Sequence, residues 1–322
     1  MPRTRKSRIV FDLVHENLID INEPDYSKLK KLLKKLNFEV TVLSRGPIHA
    51  DTLENVDLLV IGCPVDELIL KEEVDAIEDF VRQGGQLLVA SEYGGDAVQK
   101  TNLNELTKLF GIYFENSVVK SSRFAGSPNA PFITNFAEHE VTRNVLKTLV
   151  GGCTSIRTAK NAVGLAFSGT DSWNEIFNPV DFEWTKRPET DLPIAAATQY
   201  GSGRVFAIGD VDIFSNDEVY GLKSMDNEQF VINVLRWLTS PTNQEDVLNW
   251  VLLQIGHFGD QMTALGKKVE NIIETTQLLE ERISHLEGKP GHVLRGDSEV
   301  RAIHPRGILE QEENRPLEQE HD

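Results

Sequence analysis

Three short apolar runs constrain the fold of this chain more than any other feature of its sequence. They are residues 57–61 (DLLVI), 86–90 (QLLVA) and 204–208 (RVFAI). A continuous run of this kind is typical of a strand that is buried on both faces of a parallel sheet. Amphipathic helices are predicted at residues 26–36, 72–82 and 230–238. The alternation of strands and helices predicts an α/β fold with a doubly wound, mostly parallel sheet.

Other segments are less regular. Strands are predicted at residues 9–13, 38–43, 162–167 and 194–200, and a strand-like segment at 113–120. An acidic and aromatic insertion at residues 173–189 separates the last two of the four strands. Its aromatic side chains are interpreted as a cover for the sheet edge, with a carbohydrate or peptide platform as the alternative.

A heptad repeat follows this part of the chain, over residues 248–286. Apolar residues at alternating steps of three and four form one narrow stripe, which is typical of a helix that pairs with another helix. The heptad repeat is most regular in its second half. Six residues there are predicted to mediate oligomerisation or partner binding: Leu265, Val269, Ile272, Leu279, Ile283 and Leu286. The glycine-bearing first half has a wider apolar face, so docking of the helix on its own domain is the alternative.

Composition restricts the class of partner. The chain has 322 residues, 40% of them hydrophobic, and a formal net charge of −17. That charge argues against nucleic acid and against anionic membranes. No apolar run reaches the roughly 18 residues of a membrane span. The two cysteines have no paired spacing, which fits a reducing compartment, and a soluble cytoplasmic protein is expected.

Three segments together resemble the GIFT domain, a class I glutamine-amidotransferase-like fold. They are residues 57–90, the HEVTRNV element at 139–145, and GRVFAIGDVDIFSND at 203–217 with the LRWL helix end at 235–238. The GIFT domain occurs in a core subunit of intraflagellar-transport complex B and in accessory proteins of gliding-motility ABC transporters. The resemblance implies a scaffolding role. It covers a GIFT-like domain at residues 7–240. The heptad repeat predicts a coiled-coil helix within residues 241–288, and the polar composition that follows predicts a disordered acidic tail at 289–322.

Active amidotransferases of this fold carry a cysteine at the turn after the strand equivalent to residues 86–90. Here that turn reads SEYGG and contains no cysteine. Cys63 follows the preceding strand and is interpreted as a buried thiol. Ser91 is an alternative nucleophile, but no histidine occurs between His139 and His257 to activate it. No catalytic residue is therefore assigned, and the chain is expected not to be an enzyme.

A binding site is predicted instead at the carboxyl ends of the strands, where ligands of open α/β sheets gather. Its candidate residues are Asp12, His15, Glu92, Asp210 and Asp212. Asp210 and Asp212 would point to the same side if their strand continued, and their oxygens could hold Mg²⁺. The alternative is that these carboxyl groups accept hydrogen bonds from loop amides. No metal ion and no cofactor is assigned.

The functional prediction is a non-enzymatic assembly protein that binds itself or a protein partner through the coiled coil. One alternative is a ligand- or metal-binding sensor or transporter accessory that uses the strand ends near residues 210–217. A second alternative is a cryptic hydrolase.

Overall fold

The structure of the chain is a computed structural model that describes residues 6–240 and part of a later segment. The described residues of that segment are 255, 258–259, 262–263, 265–270, 272–273, 275–277, 279–280 and 283. The chain divides into two compact units, Met1–Gly256 and His257–Asp322. Each unit is considered by itself.

The first unit contains fifteen described strands and five described α-helices. The strands are β1 (Arg8–Asp12), β2 (Glu39–Leu43), β3 (Leu58–Gly62), β4 (Gln86–Ala90), β5 (Ile112–Phe114), β6 (Ser117–Ser121), β7 (Phe132–Ile133), β8 (Asn135–Phe136), β9 (Thr148–Leu149), β10 (Ile156–Thr158), β11 (Val163–Phe167), β12 (Ser172–Asn178), β13 (Glu183–Arg187), β14 (Pro193–Tyr200) and β15 (Gly203–Ile208). The helices are α1 (Ser27–Lys35), α2 (Lys71–Arg82), α3 (Gly95–Gln99), α4 (Leu103–Thr107) and α5 (Asn227–Thr239).

Eight strands form the central sheet, in the order β2-β1-β3-β4-β15-β14-β11-β8. The first five are parallel to their neighbours, and the pairs from β15 through β14 and β11 to β8 are antiparallel. The predicted mixed α/β class with a large, mostly parallel sheet is therefore confirmed. From β1 the chain passes to β2 on one side, and it then returns to β3 on the other side of β1. In doubly wound folds, ligands bind at such a topological switch point, which here lies between β1 and β3.

Strand β3 explains why the continuous apolar runs are needed. All five of its residues are buried. Leu58 and Val60 belong to the core on one face, together with α1 and α5, whereas Leu59 and Ile61 belong to the core on the other face, together with α2 and α4. Since successive side chains of a strand point to opposite faces, a sheet covered on both sides requires apolar residues at every position.

A smaller sheet of three antiparallel strands has the order β13-β12-β6. Strands β12 and β13 form a hairpin in which Phe177 is paired with Trp184. The acidic and aromatic insertion predicted at residues 173–189 thus contains two strands that the sequence analysis did not predict. The predicted strand-like segment at 113–120 consists of two strands, β5 and β6, which belong to different sheets.

Every described residue of the second unit is helical and exposed. These residues include five of the six predicted oligomerisation positions, whereas Leu286 lies outside the described residues, as does the predicted tail at 289–322. No described helix is both long enough and apolar enough to cross a lipid bilayer.

Candidate functional site

Predicted site residues and the two candidate nucleophiles, Cys63 and Ser91, follow four neighbouring parallel strands. Asp12 is the last residue of β1, Cys63 follows β3, Ser91 and Glu92 follow β4, and Asp210 lies two residues beyond β15. Because β1, β3, β4 and β15 are adjacent and parallel, their carboxyl ends lie along one edge of the sheet. We call these residues the strand-end edge.

One group of charged side chains at this edge is centred on His15. Its Nδ1 lies 2.8 Å from Asp12 Oδ2, and its Nε2 lies 3.2 Å from Glu73 Oε2. Burial by itself lowers the pKa of His15, but the hydrogen bond to Asp12 and the charges of Asp12 and Glu73 outweigh burial, so the pKa lies above 6.5. An imidazolium that donates from both ring nitrogens to two carboxylates fits this geometry.

The two carboxylates also accept hydrogen bonds from other parts of the chain. Asp12 Oδ2 accepts from Asn17 Nδ2 at 2.9 Å, and its Oδ1 accepts from the amide of Val14 at 2.9 Å. Glu73 accepts from the amides of Ile48 and Leu70, both at 2.8 Å. The group therefore connects the end of β1 to the first turn of α2.

A second group contains Glu92, Asp210 and Asp212. Glu92 accepts from the amides of Tyr93 at 3.1 Å and Val211 at 3.3 Å. Burial raises the pKa of Glu92 well above its ordinary value, and the charge of Asp210 raises it further.

Asp210 accepts from three backbone amides at distances of 3.1 to 3.3 Å: those of Asp212 and Ile213, where the chain turns around its carboxyl group, and that of Gly151, 59 residues earlier. Burial, and then the charge of Asp212, raise the pKa of Asp210 well above its ordinary value. Burial, and then the charge of Asp217, raise the pKa of Asp212 to about 6. The strand does not continue through residues 210–212, since β15 ends at Ile208 and residues 212–214 form a 3-10 turn. The condition for Asp210 and Asp212 to point to the same side of one strand is therefore not met.

The edge is closed to solvent. Asp12, His15, Glu92 and Asp210 are at most 5% exposed. One reason is that the segment after β1 folds over the end of β3, where the amides of Leu18 and Ile19 donate to the carbonyls of Cys63 and Gly62, both at 3.0 Å. Only Asp212 among the five predicted residues is partly exposed.

The two candidate nucleophiles are enclosed by the same packing. Cys63 and Ser91 are both 0% exposed. Burial raises the pKa of the Cys63 thiol, and the charge of Glu92 raises it further, so the reactive thiolate is disfavoured. The positive φ of 68° at Cys63 places its backbone in a region that is uncommon for residues other than glycine.

The structure therefore brings Asp12 together with His15, and Glu92 together with Asp210 and Asp212. The residue that sequence reasoning missed is Glu73. Its helix was predicted, but an acidic residue in the first turn of a helix is normally a solvated residue that favours the helix dipole. Nothing local indicates that Glu73 meets a histidine 58 positions earlier. Among the described residues, no group of three or more His, Cys, Asp or Glu side chains is arranged to hold a metal ion.

A separate groove of about 510 Å³ lies away from these groups and is lined by residues of the segment 136–145. His139 lies in it, where its Nδ1 accepts from the amide of Val141 at 3.1 Å and its ring packs edge-on against Trp237. His139 begins the 3-10 turn Glu140–Thr142, so its role in local structure is that of a cap.

The strand order and the switch between β1 and β3 define an α/β domain of the flavodoxin-like class, with a closed polar edge where ligands of that class bind. The profile of the IFT52 GIFT domain matches residues 8–172. The chain belongs to this family.

Two similar proteins show how much of the chain the similarity covers. The intraflagellar transport protein 52 homolog of Mus musculus is 23% identical over 250 residues, which cover 74% of this chain and 57% of the mouse protein. The solved mmIFT52 N-terminal domain superposes with a TM-score of 0.61 at 21% identity, over 73% of this chain and 99% of that domain. The chain thus spans little more than half the length of its mouse relative, and the similarity to the solved domain is one of fold.

Proposed function

We propose that this chain is a non-enzymatic assembly subunit whose helical segment binds protein. Membership of the IFT52 GIFT domain family supports this role, since the mouse relative is named as an intraflagellar transport protein. By this proposal the chain acts as a scaffold subunit of a comparable transport assembly. Its location in the cytoplasm stays a prediction.

The observation that carries the proposal is an exposed apolar stripe on the helical segment. Eight described apolar residues at heptad seam positions are helical, and they are 47% to 65% exposed: Ile255, Phe258, Met262, Leu265, Val269, Ile272, Leu279 and Ile283. A stripe of side chains this large is stabilised when a partner helix removes it from water. We assign the stripe to a coiled coil within residues 241–288.

The order of residue types favours a parallel two-stranded coil. Val269 and Ile283 are β-branched and occupy one seam position, and Leu265 and Leu279 occupy the other. This distribution is the one that parallel dimers prefer. Both a second copy of this chain and another subunit with a matching stripe fit these residues. Docking of the helix on its own domain remains the alternative.

The chemistry of the strand-end edge supports the non-enzymatic part of the proposal. The carboxyl oxygens of Glu92 and Asp210 accept hydrogen bonds from backbone amides of the same domain. Carboxylates used in this way hold loops in place, and little of their surface is accessible to a substrate. Ligand binding by Asp12, His15, Glu92, Asp210 and Asp212 stays a prediction, as does the cryptic hydrolase.

The test places charges on the stripe of the full-length chain. In the variant Leu265→Asp/Ile272→Asp, pairing would bury two unpaired carboxylates, each at a cost of several kcal/mol. We expect the self-association that the helix contributes, measured by sedimentation velocity, to weaken roughly 100-fold or more, since each 1.4 kcal/mol is a factor of ten.

The matched control is Lys267→Asp/Gln277→Asp, which adds the same residue type at two exposed helical positions outside the stripe. The control is expected to associate like the wild type. Equal association of the two double variants, or a wild-type chain that stays monomeric at tens of micromolar, would contradict self-assembly through this helix.

A further inference from the structure

The hairpin of β12 and β13 ends the smaller sheet with an open edge. Strand β13 is last in the order β13-β12-β6, and no strand in the described part of the chain pairs with its outer side. All five residues of β13 are exposed. The hairpin also lies almost wholly beyond residue 172, where the family match stops. An open edge presents unpaired backbone groups that can accept another strand.

The sequence of β13, Glu-Trp-Thr-Lys-Arg, is complementary to itself when read in the opposite direction. In an antiparallel pair of two copies centred on Thr185, Glu183 of each copy lies opposite Arg187 of the other. Trp184 then lies opposite Lys186 of the second copy, which allows a cation–π contact. Opposite-charge and threonine pairs across neighbouring strands are favourable.

Two of the side chains that would meet, Trp184 and Lys186, are already held by aromatic contacts on one face of the hairpin. The rings of Trp184 and Phe177 are 5.1 Å apart, and Lys186 Nζ lies 4.1 Å from the centre of the Trp173 ring. Phe182, at the start of β13, is 78% exposed. The same antiparallel register would place Phe182 opposite Pro188 of the second copy and so cover it.

Other registers do not have this complementarity. A parallel pair of identical strands in register places Glu183 beside Glu183 and Arg187 beside Arg187, and like charges directly opposite one another are destabilising. The intramolecular pair of Arg187 with Glu189, at 4.0 Å and about half exposed, is a weak competitor.

We propose that the outer edge of β13 pairs with β13 of a second copy of this chain, in an antiparallel arrangement about a two-fold axis at Thr185. The contact joins two three-stranded sheets into one six-stranded sheet. This inference goes beyond the proposed function, because it concerns a different part of the chain from the helical stripe and does not depend on it.

A charge swap tests the pairing in the full-length chain that also carries Leu265→Asp and Ile272→Asp, so that the helical stripe does not hold two copies together. Glu183→Arg alone and Arg187→Glu alone each place like charges opposite one another across the axis, and the dimer fraction measured by sedimentation is expected to fall at least about tenfold. The double variant Glu183→Arg/Arg187→Glu restores opposite charges and is expected to recover the wild-type dimer. Glu54→Arg, at an exposed residue outside the hairpin, is the control.

A cysteine on the axis gives a readout that is independent of any other contact. Opposite residues of antiparallel strands have Cα atoms roughly 4.5 to 5.5 Å apart, within disulfide range. Thr185→Cys is expected to form a covalent dimer under mild oxidation, much faster than Glu54→Cys does. The native Cys63 and Cys153 are buried and do not compete.

Two outcomes would overturn the proposal. One is cross-linking of Thr185→Cys at the rate of the control. The other is a set of charge variants whose association equals that of the wild type, which would mean that Lys186 and Arg187 guard the edge against pairing or that the edge receives another protein. Variants of the helical stripe leave β13 unchanged, so the two interfaces are tested separately.

Discussion

His15 illustrates how a single residue holds the strand-end edge together. Its ring lies between Asp12 and Glu73, and all three side chains are buried. A buried cation with two hydrogen-bonded carboxylates keeps its charge, whereas the removal of one partner leaves uncompensated charge in the interior. His15 therefore contributes to the stability of this edge.

This arrangement predicts a pH-dependent contribution of His15 to stability. Its folded pKa lies above the ordinary 6.5, so its stabilisation is complete below about pH 6.5 and is lost as the pH rises through the folded value. We expect His15→Gln to lower the free energy of unfolding by about 3 kcal/mol near pH 6 and by less near pH 9. Chemical denaturation at both values measures the difference.

The control is Glu54→Gln, which removes a charge at an exposed position. Its effect on unfolding is expected to be small at both pH values. If the difference in free energy of unfolding between the wild type and His15→Gln did not change with pH, His15 would not be the titrating group.

At the scale of elements, Asn227 fixes the start of α5. Its Oδ1 accepts from the amide of Leu149 at 3.0 Å, and its Nδ2 donates to the carbonyls of Leu149, Tyr220 and Gly221 at 2.8 to 3.0 Å. The side chain is fully buried. One amide group thus attaches the helix to β9 and to the loop before the helix.

Asn227→Ala is expected to lower the free energy of unfolding by about 3 kcal/mol, because it leaves several buried backbone groups without partners. Thermal and urea denaturation measure the loss. Glu228→Ala is the adjacent control, since Glu228 pairs with Lys223 at the surface, and its effect is expected to stay within about 0.5 kcal/mol. Similar losses in the two variants would contradict the role of Asn227.

The strands and helices at the centre of the domain were predictable because each shows a simple pattern of apolar residues. Residues 86–90 were predicted to form a strand and do so, since only a continuous apolar run suits a strand covered on both faces. Helix α2 was predicted at residues 72–82 and spans Lys71–Arg82, with Val74, Ile77 and Val81 buried at helical spacing.

The β12–β13 hairpin could not be predicted in this way. One face of β12 meets the domain through Asn174, which is fully buried, while the other carries Trp173 and Phe177. A polar residue facing inward and aromatic residues facing outward invert the usual alternation, so the pattern did not indicate a strand. The pairing of His15 with Glu73 was not predicted for a related reason, because a charge pair between distant parts of the chain produces no local periodicity in the sequence.

On the scale of the whole molecule, two candidate contacts lie in different units of the chain. The outer edge of β13 belongs to Met1–Gly256, and Leu265 and Ile272 belong to His257–Asp322. If both contacts form, each one contributes a separate association step between copies of the chain. The net charge of −17 opposes any association, so both contacts must be locally favourable.

Combining the variants tests whether the two contacts are independent. The full-length chain with Leu265→Asp, Ile272→Asp and Glu183→Arg is expected to sediment as a monomer, whereas each parent variant retains one contact and a larger mass. Sites this far apart in the sequence that share no side chains should contribute additively. A triple variant that still sediments above monomer mass would require a third interface.

The fold of the chain over the end of β3 has a practical meaning for protein engineering. Two backbone hydrogen bonds from Leu18 and Ile19 hold the segment after β1 over the end of β3, at the edge of the sheet where ligands of doubly wound folds bind. Introducing a nucleophile at Ser91 would leave that nucleophile sealed in the interior. A design that adds a reactive side chain to this domain would therefore begin by shortening residues 13–19, and only then place that side chain beneath the opening.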